Sequence, residues 1–221
     1  MDDIFQNRHS LIKTVEKCHK NSFYSSRPLP KIVAVSKQQP DHKIKDALEA
    51  GHRVFGENKI QDATKRWIDL LDIHKDIELH YIGHLQTNKV KKALTFFDVI
   101  HTLDRKNLAL EISKYWTSAS KTKAFMMQVN TGKEQNKSGI SLDEFDEFFK
   151  FVSSLRIPVK GLMCLPPLDE EPSIHFCILR ELANKFKLND LSMGMSLDYE
   201  KAIKFGSTYL RVGTSFFGKR D

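Results

Sequence analysis

The sequence predicts a single (β/α)8 TIM barrel with an additional N-terminal helix. Three observations carry this. Eight short apolar runs recur along the 221 residues. Amphipathic stretches separate them, and strand alternating with helix is the pattern of a parallel α/β fold. No linker, low-complexity tract or internal repeat divides the chain, and eight units in about 220 residues match a compact barrel. A doubly wound open sheet is the runner-up.

The elements follow in order. A helix over residues 2–20 precedes the first strand, and the segment 21–30, with Pro28 and Pro30, is the loop between them. Apolar runs lie at 32–36, 53–55, 79–82, 99–101, 124–129, 159–165, 191–195 and 209–212. Most are rich in Val, Ile, Phe or Met and bounded by Gly, Pro, Asn or Asp, which suits strands buried on both faces. Between them, residues 41–50 place Ile44, Ala47 and Leu48 on one side and end at Gly51, a natural helix terminator. Residues 59–71 put Ile60, Ala63, Trp67, Leu70 and Leu71 on one stripe. The segments 107–116, 142–154, 174–186 and 199–205 behave likewise. Ser141 before Asp143-Glu144 reads as a helix start with carboxylates in the first turn. Met126, Met127, Met163, Met193 and Met195 fall within strands and read as core filler.

Composition bounds the function classes. With 40% hydrophobic and 29% charged residues, the chain can bury a substantial core. The net charge of +7 would suit nucleic acid, but the basic residues are dispersed, and Lys89-Val90-Lys91-Lys92 is the densest run. A basic surface that attracts a phosphorylated small ligand explains the charge as well; solubility explains it more simply than either. Cys18, Cys164 and Cys177 are odd in number and lack CxxC spacing, which suggests neither a disulfide framework nor a thiolate metal site. The polar N-terminus has no signal-peptide pattern, and no apolar run approaches membrane-spanning length. A reducing cytoplasm is the expectation.

Barrels gather functional groups at the C-terminal ends of their strands. Lys37 follows the first run, Gly56-Glu57-Asn58 the second and Gly83-His84 the third. Asn130-Thr131-Gly132-Lys133, Ser192-Met193-Gly194-Met195-Ser196 and Arg211-Val212-Gly213-Thr214 mark later exits. Such regularity favours one shared pocket. Lys37 is the sharpest candidate, because desolvation at a strand end favours the neutral amine that condenses with an aldehyde to a Schiff base. Taken alone, a lysine snorkelling out of a strand end is the simpler reading. Gly194, Ser196, Gly213 and Thr214 could offer backbone N–H groups and hydroxyls to a phosphate, in the loops where barrels frequently bind one; ordinary turns explain them equally well. Arg211, inside the last apolar run, needs a partner: a ligand's nitrogen or phosphate, or a carboxylate such as Glu57. His84 and His101 could be acid–base groups, with a structural role the simpler reading.

These residues resemble a known family. Ala34-Val35-Ser36-Lys37, Phe55-Gly56-Glu57-Asn58, the run from His80 through Gly83-His84-Leu85-Gln86-Thr87-Asn88-Lys89, Val129-Asn130-Thr131-Gly132-Lys133-Glu134, Lys137-Ser138-Gly139, Gly161-Leu162-Met163, Ser192-Met193-Gly194-Met195-Ser196 and Arg211-Val212-Gly213-Thr214 stand in family order. The chain resembles the pyridoxal phosphate homeostasis proteins, which are similar to the barrel domain of alanine racemases. The resemblance implies pyridoxal 5′-phosphate held as a Schiff base on Lys37. It implies Ser196, Gly213 and Thr214 at the phosphate, Arg211 near the pyridine nitrogen, and Asn58 beside the cofactor. The Gly83-to-Lys89 loop would line the open side. Leu197, where a more polar residue is expected, and Thr87, where serine is common, depart from the pattern.

The expected function is pyridoxal phosphate binding for intracellular homeostasis, as a carrier rather than a catalyst. In the racemases a second base comes from a further C-terminal domain, which this sequence does not contain, and a two-base racemisation needs one. The alternative is a racemase of low activity with Tyr81 or His84 as the base. Nucleic-acid binding ranks last, because clustered basic residues with interleaved aromatics are missing. The expected partners are pyridoxal phosphate itself and pyridoxal-phosphate-dependent apo-enzymes, with no nucleic acid, no membrane and no metal. The domain is expected to span residues 1–221 and to act as a monomer.

Overall fold

Apolar runs alternating with amphipathic segments can bury both faces and pair every strand only as parallel strands covered by helices. The computed structural model, which describes residues 4–134 and 137–219, has this architecture. The strands are β1 (Lys31–Val35), β2 (Val54–Glu57), β3 (Glu78–Tyr81), β4 (Val99–Leu103), β5 (Ala124–Asn130), β6 (Ile140–Ser141), β7 (Val159–Cys164), β8 (Asp190–Ser192) and β9 (Tyr209–Val212). Around them run α1 (Ile4–Lys20), α2 (Asp41–Glu49), α3 (Ile60–Ile73), α4 (Val90–Phe96), α5 (Lys106–Tyr115), α6 (Phe145–Ser154), α7 (Pro172–Lys185), α8 (Tyr199–Lys204) and α9 (Thr214–Phe217). Parallel ladders join β4, β3, β2, β1, β9, β8, β7 and β5 in that order, and β4 pairs with β5 to close an eight-stranded barrel. All eight predicted strands are found, and the runner-up open sheet is excluded by the closure.

The two-residue β6 takes up β5 at Val129 and Asn130, beyond the last pairing of β5 with β4 at Met127. Ser141 therefore belongs to a strand. Its hydroxyl donates to Glu144 Oε2 (2.6 Å) and accepts from the Glu144 N–H (3.3 Å), and α6 starts one residue later. The carboxylates in its first turn are Asp146 and Glu147, rather than the predicted Asp143 and Glu144. Helix α4 was not predicted: its seven residues are too few for a periodic signal, and they contain the basic run Lys91-Lys92.

Strand geometry sends alternate side chains to opposite faces. On the outer face Ile32, Ala34, Phe55, Leu79, Tyr81, Leu210 and Val212 join the helices in one continuous core. Helix α1 adds Ile4, Leu11 and Val15 to it. Inside the barrel, Val99, Met126 and Met163 form a separate small cluster packed against Tyr209. The interior also holds Val33 and Val35 of β1 and a set of buried polar groups, His80, His101, Ser192 and Arg211. In β4 the register shifts between Ile100 and Leu103, both of which pack in the outer core. His101 faces inward by the ordinary alternation from Val99, and the bulge keeps the next residue, Thr102, out of the outer core as well.

Candidate functional site

Val33, Val35 and Lys37 share one face of β1 by the two-residue period, so Lys37 stands over the barrel interior where the strand ends. Gln38, next along, takes a left-handed backbone (φ 58°), an uncommon conformation for a residue with a side chain. A cleft of about 530 Å³ opens here. Lys37, Ser196, Arg211, Gly213 and Thr214 all line it, together with Val35, Ile82, Met163 and Met195. Five of the six predicted site residues thus converge. Asn58 stands at the end of β2, the strand paired with β1, but does not line the cleft; its backbone carbonyl accepts the Tyr81 hydroxyl (3.2 Å).

Among the described residues, the Lys37 amine has no hydrogen-bond or ion-pair partner. The Ser196 hydroxyl accepts the N–H groups of Gly213 and Ser215, both at 3.2 Å, which ties the loop after β8 to the turn after β9. Its own O–H remains to be donated. A Cβ on Gly213 would come no closer than 3.8 Å to any protein atom, so the space in front of that backbone is open. Gly194 is different: at φ 93°, with a Cβ falling 2.6 Å from Ala202, it is required by the turn. A lone amine, a free hydroxyl and an open backbone approach fit a phosphorylated aldehyde. Thr214 starts the four-residue α9 beside them.

Arg211 is 4% exposed. It donates from Nη1 to Ser192 Oγ (2.5 Å) and from Nη2 to the Cys164 carbonyl (2.8 Å). Burial pushes its pKa down, and no carboxylate among the described residues forms an ion pair with it. Glu57 does not partner it. That carboxylate faces outward, where Oε1 accepts Ser36 Oγ (2.7 Å), Trp67 Nε1 (3.0 Å) and Arg66 Nη1 (3.1 Å). Burial also raises the Cys164 thiol to about 12, so it is inert within the outer core.

Met195 is half-buried in the cleft wall rather than core filler, since β8 ends at Ser192. The open side is lined by residues 165–168 and Glu170 from the β7–α7 loop, by Pro172 at the start of α7, and by Leu197, which is 96% exposed. The predicted Gly83-to-Lys89 loop is not part of that lining; His84 borders a neighbouring hollow and lies 3.8 Å from Asp104. Tyr81, on the outer face, gives its hydroxyl to the carbonyls of Asn58 and His84. The β7–α7 loop was legible by the same strand-exit rule, because Pro166-Pro167 follows the sixth apolar run directly. Among the described residues, no group of three or more His, Cys, Asp or Glu side chains is placed to hold a metal ion. No helix among them is long and apolar enough to cross a membrane.

Comparison with known proteins bears on this cleft. A family model described as the alanine racemase N-terminal domain matches residues 22–221. The pyridoxal phosphate homeostasis protein of Aquifex aeolicus is 40% identical over 200 residues, covering 86% of this chain and 87% of that one. Its counterpart in Escherichia coli K12 is 36% identical over 200 residues, 86% of each chain. The solved structure of PipY from Synechococcus elongatus without PLP superposes with a TM-score of 0.85 at 30% identity, covering 97% of this chain and 100% of that one. The same protein with PLP bound gives 0.79 at 29% identity, with the same coverage.

Proposed function

Because the chain belongs to the pyridoxal phosphate homeostasis proteins, within the alanine racemase N-terminal domain family, we propose that its cleft binds pyridoxal 5′-phosphate to hold and deliver it. The observation that carries this reading is the Lys37 amine, without a partner among the described residues, in a cleft shared with Arg211, Ser196, Gly213 and Thr214. Lys37 would hold the aldehyde carbon covalently. The Ser196 hydroxyl and the backbone at Gly213 and Thr214 would take the phosphate, as glycine-opened turns do. Asn58, at the exit of the strand beside β1, completes the proposed binding set.

When bound, the cofactor supplies an electron-accepting ring and a reactive carbonyl. Arg211 can only donate hydrogen bonds, so facing the ring nitrogen it would leave that nitrogen unprotonated and the ring a weak electron sink. This supports a carrier without turnover of its own. The racemase reading would need Tyr81 or His84 as a base, and neither lines the cleft. In the proposed role one barrel domain over residues 1–221 acts as a cytoplasmic monomer and passes cofactor to pyridoxal-phosphate-dependent apo-enzymes.

Adding pyridoxal phosphate to the purified protein is expected to give a visible absorption band that borohydride removes and that Lys37→Ala lacks. A band of wild-type intensity in Lys37→Ala would end the assignment of the lysine. Incubation of the loaded protein with D- and L-amino acids is expected to give no repeated turnover, and sustained racemisation would end the carrier reading.

A further inference from the structure

The barrel interior holds a row of buried polar groups that cofactor binding does not call for. Starting in the cleft, Arg211 Nη1 donates to Ser192 Oγ (2.5 Å), and Ser192 Oγ lies 2.8 Å from His101 Nδ1. His101 Nε2 lies 2.8 Å from His80 Nδ1, and His80 Nε2 lies 2.8 Å from Glu78 Oε1. Glu78 is the first residue of β3 and Lys31 the first of β1, and their side chains meet at 2.5 Å. The row therefore spans the barrel from the cleft floor to the opposite end, where Lys31 and Glu78 reach solvent. Tyr209 closes its flank, with ring centroids 5.4 Å from His80 and 5.7 Å from His101.

The direction of every bond follows from one end. A guanidinium cannot accept, so Ser192 accepts from Arg211. Among the described residues the other partner of Ser192 Oγ is His101 Nδ1, so the hydroxyl donates there. His101 is wholly enclosed, and burial, with the Arg211 charge beside it, pushes its pKa well down, so it is neutral. With Nδ1 accepting, its proton is on Nε2 and is donated to His80 Nδ1. His80 then donates from Nε2 to Glu78. Burial alone would raise the Glu78 carboxyl, but the hydrogen bonds from His80 and Lys31 and the Lys31 charge outweigh it and hold it down. A cationic His80 would reverse the chain and leave the Ser192 O–H without an acceptor, which is costly in a buried place.

We infer that His80 and His101 are positioning residues for Arg211: with Ser192 they form a one-way hydrogen-bond chain from its guanidinium to the Glu78 carboxylate. The chain fixes the guanidinium plane, which the Cys164 carbonyl holds from the other nitrogen, and supplies a remote negative end to a buried cation that forms no ion pair among the described residues. The inference rests on the proposed cofactor reading only for what Arg211 meets in the cleft.

Nitrogen-15 NMR of the full chain without cofactor reads the two imidazoles directly. Both are expected neutral, with the proton on Nε2. A proton on Nδ1 of His101, or a cationic His80, would overturn the chain. In the protein loaded with pyridoxal phosphate, His101→Phe is expected to shift the visible absorption maximum and weaken cofactor binding roughly tenfold, the scale of one hydrogen bond to a charged group. His101→Asn, which returns an acceptor to Ser192, is expected to recover most of both. Glu78→Gln, at the accessible end, keeps an acceptor for His80 and removes the charge. It is expected to move the spectrum in the same direction by less, and it decides the matter if His101→Phe does not fold. Wild-type spectrum and affinity in both Glu78→Gln and folded His101→Phe, or in Glu78→Gln alone where His101→Phe does not fold, would refute the positioning role. Absence of any visible band in the wild-type protein would count against the cofactor reading instead, and the NMR result would still decide the chain.

Discussion

The outer and inner faces of the barrel sheet obey opposite rules. Outside, Phe55, Leu79, Leu210 and their neighbours pack against helices in a continuous apolar core. Inside, the apolar filling is limited to small groups such as Val33, Val99, Met126 and Met163, and they share the space with His80, His101, Ser192 and Arg211. Apolar packing is non-directional and tolerates drift, whereas a hydrogen-bonded interior fixes each group in one place. The outer face accordingly supports the fold and the inner face supports the cleft. Substitutions that separate stability from cofactor binding test that division.

The largest effect is expected outside. Trp67 is fully buried, packs tilted against Phe55 with ring centroids 4.7 Å apart, and donates its indole N–H to Glu57. Trp67→Ala should cost about 3–5 kcal/mol in urea denaturation, the range for emptying a large aromatic site. Under conditions where the variant is folded, its affinity for pyridoxal phosphate should match wild type, because no atom of Trp67 lines the cleft. A large loss of affinity would break the division between the faces.

A second effect is read by pH. His52 lies 7% exposed on the outer side, against Phe55 and Phe216. Burial lowers its pKa from 6.5 to about 4, outweighing the bond to the Val54 carbonyl. The unfolded chain then binds this proton more tightly than the folded one. The stability due to neutral His52 is complete above pH 6.5 and is lost as pH falls towards 4, by an amount on the order of 3 kcal/mol. Urea midpoints from pH 7 to pH 4 should show the decline, and His52→Leu should flatten it. An equally steep decline in that variant would place the linkage elsewhere.

Gly194 brings the third effect. It takes φ 93°, and an added Cβ would meet Ala202 at 2.6 Å. Gly194→Ala should cost about 1–3 kcal/mol through strain and overpacking, read as a lower urea midpoint. An unchanged midpoint would show that the turn can relax.

What the sequence revealed follows the same division. Eight strands were legible because the outer face writes itself in Val, Ile, Leu and Phe, and the strand exits then located Lys37, Ser196, Arg211, Gly213 and Thr214. Helix α4 was not legible, because seven residues give less than two turns of period. The partner of Arg211 was not legible either. Its neighbours Ser192 and the Cys164 carbonyl lie 19 and 47 residues away along the chain, so only closure of the barrel brings them together. His101 faces that group by the ordinary alternation from Val99, but its partners His80 and Ser192 lie 21 and 91 residues away, so their meeting is not visible in the sequence.

Gly213 should give the smallest change in stability, and it separates fold from site most cleanly. Its φ is −105°, ordinary for any residue, and the nearest atom to an added Cβ is Val35 Cβ at 3.8 Å. The protein alone therefore accepts Ala there, and Gly213→Ala should leave the urea midpoint within about 0.5 kcal/mol of wild type or slightly raise it by restricting the unfolded chain. The methyl group would project into the space through which a phosphate reaches the backbone beside the Ser196 hydroxyl. Equilibrium titration should then show weaker binding of pyridoxal phosphate, and inorganic phosphate should compete less well than it does against wild type. If the midpoint falls while affinity is kept, Gly213 belongs with Gly194 as a residue the turn requires, and the phosphate must be held elsewhere in the cleft.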